Sequence, residues 1–505
     1  MYGKENQSQS NASYSQGGFA SLQDETSVDT RFEAKEQRKS FRRLSQIPGI
    51  EDKEAMNMAK WSSEERQAEI KRLNDKVSRY KILMFMVSMN SGWFFYTSNF
   101  QLFYCRDVLD MSAPAFSAFG SNTNLPWLIK PLWGFFSDSF RFFGFRFKAH
   151  IMMATTISMI TAAWMAIDSH PTVLSFTISN LILSWSVAYV DTMAEGMSAV
   201  ITKIYERIKV LEELENGKKD GDDESMTAFG SYNAIRSFFR SVMGYIGGVL
   251  APVFGKSTFF SGVLLGAYPL LMFLYALLIF KEERKSGFFT GCEKFCSGLK
   301  GTAKAAFMPL VLLPLLYIVL PGLPPNPGIY TFYMLVGEGG WTFQEYNINN
   351  FVTSVLMSLV LMSFFNLVKG WSFTSLQIWG QILAQVTSIA STSIIWCRYF
   401  SVIEYSIILF VINFVATFAS NIQLTAIVGR VSKYLPEGFE STGVTTIISA
   451  SNAVIIINGY VNQWFFPYFN IKPGYYDSRL KIPFDISNIL SVFWVLVGPL
   501  FLFLG

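Results

Sequence analysis

The chain has 505 residues, of which 51% are hydrophobic and only 15% are charged. Because soluble domains carry about 25% charged residues, this composition argues against a soluble protein and favours a membrane protein. A net charge of +4 does not indicate binding to nucleic acid, and four cysteines with two histidines offer little for metal or nucleophilic chemistry. We therefore predict no metal, no cofactor and no enzymatic activity.

Residues 1–80 form a polar segment rich in Ser, Gln and Glu, without the early apolar run that marks a signal peptide. We predict a largely disordered cytoplasmic tail that ends in an amphipathic helix over about 62–81. Within the tail, the sequence RKSFRRLS has two interpretations. It is either a basic segment beside anionic lipid headgroups or a kinase substrate at Ser40 or Ser45.

Twelve apolar segments follow the tail, each long enough to cross the hydrocarbon core of about 30 Å as a helix. They are 82–104, 113–137, 149–167, 173–201, 229–253, 258–280, 307–335, 347–368, 371–397, 402–428, 442–467 and 485–504. An even number of spans places both termini on one side of the membrane. The loops on that side carry far more Lys and Arg than the opposite loops, so the positive-inside rule makes the termini cytoplasmic.

The longest loops on the cytoplasmic side follow spans four and six. A break after span six predicts a first six-helix bundle over 81–281, a cytoplasmic interdomain loop over 282–305 and a second six-helix bundle over 306–505. Two such halves are typical of the major facilitator type of transporter, in which they rock about a site near the midplane of the bilayer. The sequence thus predicts an all-α, major-facilitator-like membrane protein with 12 transmembrane helices.

Ionisable residues inside the predicted spans are concentrated in the first half. A charge in a span costs at least about 2.5–3.5 kcal/mol on insertion scales, so such residues usually face a cavity or one another. They are Lys130 in span two, Asp191 and Glu195 in span four, and Arg236 and Arg240 in span five. Two interpretations stay open: a site that binds an anionic substrate and couples a proton, or a salt-bridge lattice that only holds helices together.

The turn after span two reads GFFSDSFRFFGFRFK. Its Gly134, Asp138 and Arg146 resemble the Gly-x-x-x-Asp signature between spans two and three of major facilitators. Gly134 permits close approach of helices, and Asp138 can hold a basic partner or a helix N-terminus across the domain interface. We interpret these three residues as a conformational latch and not as ligands of a substrate.

The second half is poor in charge and rich in side-chain amides, which include Gln423, Asn421 and Asn452. Such amides have two interpretations. They either hydrogen-bond a flat, polar ligand from one side of a cavity, or they join membrane helices at about 0.6 kcal/mol each.

Three segments together resemble the folate–biopterin transporter family of the major facilitator superfamily. LPWLIKPLWGFFSDSFRFFGFRFK resembles the Pro-Trp-x-x-Lys-Pro segment and following turn of that family, VDTMAEGMSAV its acidic segment, and LPEGFESTGVTTIISASNAV the entry to its span eleven. The resemblance extends from about residue 80 to the end of the chain. Two positions depart from it: Ser441 replaces a usual Gly, and Phe147 interrupts a basic run. The resemblance implies uptake of pterins, folates or a related anionic metabolite together with protons.

We therefore predict a secondary active transporter, a symporter that acts by alternating access, present as a monomer in the bilayer. The lack of a transit signal favours the plasma membrane or an endosomal membrane. The alternative is a transporter fold that serves as a receptor or as a structural subunit of a membrane complex, without transport. The ionisable residues retained in the spans argue against this alternative, because an idle fold has no need of them.

Overall fold

The structure is a computed structural model, and it describes a defined set of residues. These are 61–216, 235, 237–246, 249–250, 257–284, 296–298, 300–301, 303–304, 307–320, 323, 343–367, 371–394, 402–432, 439–468, 485–486, 489–490, 492–494 and 497. Most of the predicted tail, with Ser40 and Ser45, lies outside the described residues, and so does Arg236.

The described secondary structure is helical apart from one isolated β-bridge between Phe142 and Phe145. The helices are α1 (Ser63–Asp107), α2 (Ala113–Leu128), α3 (Lys130–Ser139), α4 (Lys148–Ile167), α5 (Val173–Asn216), α6 (Thr258–Leu278), α7 (Pro309–Val319), α8 (Phe343–Leu367), α9 (Phe373–Ile394), α10 (Val402–Ser432) and α11 (Glu440–Tyr468). Residues 237–246, in the predicted span five, are helical as well. The predicted all-α class is thus confirmed.

The amphipathic segment over 62–81 and span one form a single helix, α1. The helix begins with a capping box, in which the Ser62 hydroxyl accepts from the Glu65 N–H at 3.2 Å and the Glu65 carboxylate accepts from the Ser62 N–H at 2.8 Å. Glu64 and Glu65 in the first turn also favour the positive end of the helix dipole.

Helix α5 extends fifteen residues beyond the end predicted for span four at residue 201 and reaches Asn216. Its extension packs against the start of α1, where Leu73 and Val77 belong to the same apolar cluster as Ile208 and Leu211. A salt bridge of 3.3 Å between Arg207 and Glu69 borders this contact. The start of α1 and the end of α5 therefore form a pair of packed helices beyond the predicted spans.

Span two is interrupted at Ile129, which separates α2 from α3 with φ −89° and ψ 13°. Pro131 lacks the N–H that a continuous helix would bond to the carbonyl of residue 127, and Pro126 lies in the preceding turn. The break places Lys130 at the first position of α3.

The helices of the first half pack on one another, with α4 against α5 and α6, and α1 against α5 and α6. In the second half, α10 contacts α7, α8, α9 and α11. Helix α11 also contacts α2, α3 and α5 along much of its length. The two halves of the chain therefore meet at α11.

Five stretches of the described helices are long and apolar enough to cross a membrane. They are Lys148–Ile167, Val173–Glu212, Thr258–Leu278, Phe410–Val428 and Ser441–Phe465. Helix α2 has 16 residues because of the break at Ile129, and α7 has 11, so each alone is shorter than the about 20 residues of a spanning helix. The apolar side chains that α6 exposes, such as Phe259 and Leu271, suit contact with lipid.

Candidate functional site

A buried cluster of three charges lies between α3 and α5. The Lys130 Nζ atom is 2.9 Å from the Asp191 Oδ2 atom and 2.7 Å from the Glu195 Oε1 atom. The three residues are 0%, 3% and 4% exposed. Asp191 and Glu195 are four residues apart and so share one face of α5, and the break at Ile129 brings Lys130 against that face. We refer to these residues as the ion triad.

Two neighbouring side chains also contact the ion triad. The Ser91 hydroxyl of α1 donates to the Asp191 Oδ1 atom at 3.0 Å. The Trp127 ring centroid lies 4.9 Å from the Lys130 Nζ atom, a distance at which a cation is attracted by the face of an indole. Burial of ions is costly unless they are paired and hydrogen-bonded, and these contacts supply the pairing.

The ion triad lines a cavity of about 470 Å³, a volume that suits a small-molecule ligand. The wall from the first half also contains Arg240, which is half-buried. The described wall from the second half carries no charge and combines Asn421, Thr425 and Asn452 with aliphatic side chains such as Leu424, Val428 and Ile448. The cavity thus has a charged wall and an opposite wall of amides and aliphatic groups.

The helical segment over 237–246 comes very close to α1 where it carries Arg240. A Cβ atom on Gly92 would overlap the carbonyl oxygen of Arg240, so only glycine fits at this crossing. Gly92 is a residue that the sequence did not single out, because its role depends on a neighbour far away in the chain.

The three residues predicted as a latch lie together at the start of α11. Asp138 accepts from the Arg146 Nη2 atom at 2.6 Å with one carboxylate oxygen. Its other oxygen accepts from both the backbone N–H and the hydroxyl of Thr442, each at 2.9 Å. Thr442 is in the first turn of α11, so the carboxylate lies at the positive end of that helix. A Cβ atom on Gly134 would come within 2.8 Å of the Thr442 Cα atom, so the two helices touch there.

Gly196 is a further part of this contact that sequence analysis missed. A Cβ atom on Gly196 would overlap the side chain of Ser441, which is fully buried. Gly134 and Gly196 therefore form a notch, on α3 and α5, that receives the first turn of α11. The substitution of Ser441 for a usual Gly, noted in the sequence, lies directly in this notch.

Glu282 is a second residue that the sequence did not single out. Its carboxylate accepts from the backbone N–H groups of Arg146, Phe147 and Lys148 at 2.8–3.1 Å, at the N-terminus of α4. Burial raises the pKa of Glu282 above its ordinary value, and the bonds to the three N–H groups oppose this change. The segment after α6 is thereby tied to the turn that carries Arg146. An acidic pair in the otherwise basic sequence FKEERK is the one signal of this role.

A model of the BT1 family matches residues 96–214. Probable folate-biopterin transporter 2 of Arabidopsis thaliana is 23% identical over 71% of this chain and 70% of its own length. Folate-biopterin transporter of Synechocystis is 22% identical over 77% of this chain and 76% of its own length. This chain is therefore similar in sequence to the folate–biopterin transporters. The resemblance predicted from the sequence is confirmed.

Solved structures place the fold among the major facilitators. The human organic anion transporter MFSD10 superposes with a TM-score of 0.57 at 12% identity, over 84% of this chain and 99% of that protein. The proton:xylose symporter XylE gives a TM-score of 0.55 at 11% identity, over 84% of this chain and 95% of that protein. The chain therefore has a major facilitator fold, and its long apolar helices are those of an integral membrane protein.

Proposed function

We propose that this protein is a secondary active transporter that moves a pterin, a folate or a related anionic metabolite together with protons by alternating access. The observation that carries the proposal is the cavity of about 470 Å³ between a wall with four charged residues and an uncharged wall. The names of the relatives from Arabidopsis and Synechocystis support the choice of pterins and folates.

The charges of the cavity wall suit an anion that travels with a proton. Lys130 and Arg240 carry two positive charges, and Asp191 and Glu195 carry two negative charges when both are ionised, so the formal sum is zero. An anionic substrate near Arg240 makes this sum negative, and an uncompensated charge inside the protein is unfavourable. A proton on Asp191 or Glu195 cancels that charge. Arg236 lies outside the described residues, and its part in binding the anion stays a prediction from the sequence.

The amides opposite Arg240 suit the polar edge of a flat ring. Asn421 and Asn452 line the uncharged wall, with the aliphatic groups of Leu424 and Ile448 beside them. Binding pockets commonly combine apolar lining with a few well-placed polar groups that fix the orientation of the ligand. In this proposal, the ring of a heterocyclic ligand contacts the wall of amides and aliphatic groups, and its attached carboxylate contacts Arg240 on the charged wall.

The finer architecture belongs to the same proposal. The chain has 12 transmembrane helices in two six-helix bundles, 81–281 and 306–505, which the cytoplasmic loop 282–305 connects. The tail 1–80 and both termini are cytoplasmic, and the protein acts as a monomer in the plasma membrane or an endosomal membrane. The distribution of basic residues among the loops supports this orientation. In this arrangement Gly134, Asp138 and Arg146 close the cytoplasmic end of the cavity.

The test is uptake of labelled folate and biopterin into proteoliposomes, with and without an inward proton gradient. We expect the gradient to stimulate uptake by the wild type, and we expect Asp191→Asn and Arg240→Gln to abolish that stimulation. Asp75→Asn is the matched control, because Asp75 is an exposed carboxylate on α1 outside the cavity. Absence of uptake of both compounds by well-folded protein contradicts the proposed substrate and favours a receptor or structural role.

A further inference from the structure

The backbone carbonyl of Trp127 has an unusual pair of partners. In a continuous helix it would accept from the N–H of residue 131, which is a proline and has none. It instead accepts from the Ser449 hydroxyl and from the Asn452 side-chain N–H group, both at 3.2 Å. These two donors belong to α11, so the break in span two is held by the second half of the chain.

The side chain of Trp127 points to the first half. Its indole N–H donates to the Ser184 hydroxyl of α5 at 3.0 Å, and its ring lies 4.9 Å from the Lys130 Nζ atom. One residue thus contacts the ion triad through its ring and α11 through its carbonyl. The carbonyl can accept from α11 because Pro131 supplies no N–H to it.

The Trp127 carbonyl lies between two other contacts that join span two to α11. Trp127 is twelve residues from Ser139 at the end of α3, which corresponds to about 18 Å of helix. On one side of it the Asp138–Thr442 contact joins the two elements. On the other side the Tyr460 hydroxyl donates to the Asn122 side chain at 2.6 Å. In the proposed alternating-access cycle, rocking of the two bundles opens one of these outer contacts while the other stays closed, and the Trp127 bonds lie between them.

We propose that Trp127 couples the charge of the ion triad to the relative position of the two bundles, and that Ser449 and Asn452 are the positioning residues that hold its carbonyl. The inference rests on the proposed transport function. When a proton binds to a carboxylate of the ion triad, the Lys130 ammonium loses part of its attraction to α5. It then interacts differently with the Trp127 ring. The resulting movement of Trp127 changes its bonds to α11.

The proposal is tested by the distance between the bundles as a function of pH, which requires no substrate. Spin labels are placed at Glu212→Cys and Ser372→Cys, two exposed positions in the two halves, after replacement of the four native cysteines by alanine. Double electron–electron resonance in nanodiscs then gives the distance distribution. We expect the distribution of distances between the two labels to shift with pH in the parent protein, which carries no further substitution.

Two variants remove the carbonyl contact in different ways. Ser449→Ala combined with Asn452→Leu deletes both donors, and Pro131→Ala supplies an N–H that competes with α11 for the Trp127 carbonyl. The matched control is Ser420→Ala, which removes an exposed hydroxyl outside the cavity that donates to the Ala416 carbonyl of its own helix, α10. We expect loss of the pH-dependent shift in both variants and its retention in the control.

The outcomes separate this proposal from the proposed function. An equal pH-dependent shift in the variants and in the parent overturns the coupling role of Trp127, and so does the absence of a shift in the parent. If the variants lose the shift while the parent takes up neither folate nor biopterin, the coupling stands and the proposed substrate fails. Pro131→Ala leaves α11 unaltered, so its result holds even where the double variant does not fold.

Discussion

At the scale of single residues, the Lys130 ammonium pairs with two carboxylates, those of Asp191 and Glu195. This pairing allows three charged side chains to be buried together. Two carboxylates four residues apart on a buried helical face repel each other strongly unless a cation lies between them. The sequence placed Lys130 in span two and Asp191 and Glu195 in span four, but it contained no information that one ammonium reaches both carboxylates. The break at Ile129, caused by a local proline, determines where that ammonium points.

Removal of Lys130 alone leaves two buried carboxylates without their cation. We expect Lys130→Met to lower the stability by about 3–5 kcal/mol, the usual cost of breaking a buried ion pair from one side. The matched variant Lys130→Met/Asp191→Asn/Glu195→Gln contains no buried charge at this place, and we expect it to recover much of the loss. Thermal unfolding of the detergent-solubilised proteins measures both. Equal unfolding temperatures of the single and triple variants would show that unpaired charge is not the cause.

At the scale of elements, the sequence predicted the apolar spans better than their extensions and breaks. Helix α5 continues past residue 201 because Ile204, Ile208 and Leu211 keep an apolar stripe toward α1. A hydropathy window averages this stripe with the charged residues around it, so the prediction ended too early. Only one of the two glycines of the notch could be predicted from the sequence. Gly134 belongs to a recognisable turn, whereas the role of Gly196 depends on α11, which is distant in the sequence and crosses α5 at this residue.

The notch gives a prediction with an internal control. We expect Gly134→Ala and Gly196→Ala to push the first turn of α11 away, because each new Cβ atom would meet Thr442 or Ser441. Gly120→Ala on α2 is the matched control, since a Cβ atom there has nothing within 4 Å. The measurement is the rate at which a maleimide labels Ser139→Cys, a position that is fully buried beside the latch. Faster labelling in the two notch variants and an unchanged rate in the control are expected.

Equal labelling rates in all three glycine variants would contradict this account of the notch. The result would mean that the first turn of α11 adapts to an added methyl group without separation from α3 and α5. Circular dichroism and elution from a sizing column show whether each variant retains its fold, so that faster labelling is not the result of unfolding.

At the scale of the whole molecule, composition and hydropathy were sufficient to predict an all-α membrane protein, and the segment around Lys130 was sufficient for the family resemblance. The cavity itself could not be predicted, because its two walls come from residues more than 180 positions apart in the sequence. The sequence also could not show that one wall is charged and the other carries amides. Side-chain amides in the second half suit contact with a ligand and packing between helices equally well. The structure adds that Asn421 and Asn452 line the cavity, whereas Gln423 bonds to Gln381 at 2.9 Å.

The central claim is that an anionic metabolite and a proton cross the membrane together. The most direct measurement is the pH inside proteoliposomes that contain a trapped fluorescent pH indicator. Folate or biopterin is added outside, with the same pH on both sides of the membrane at the start. We predict acidification of the lumen by the wild type and none by Asp191→Asn/Glu195→Gln, because the latter has no carboxylate in the ion triad to carry the proton. Uptake of labelled substrate by the wild type without acidification of the lumen would contradict the claim.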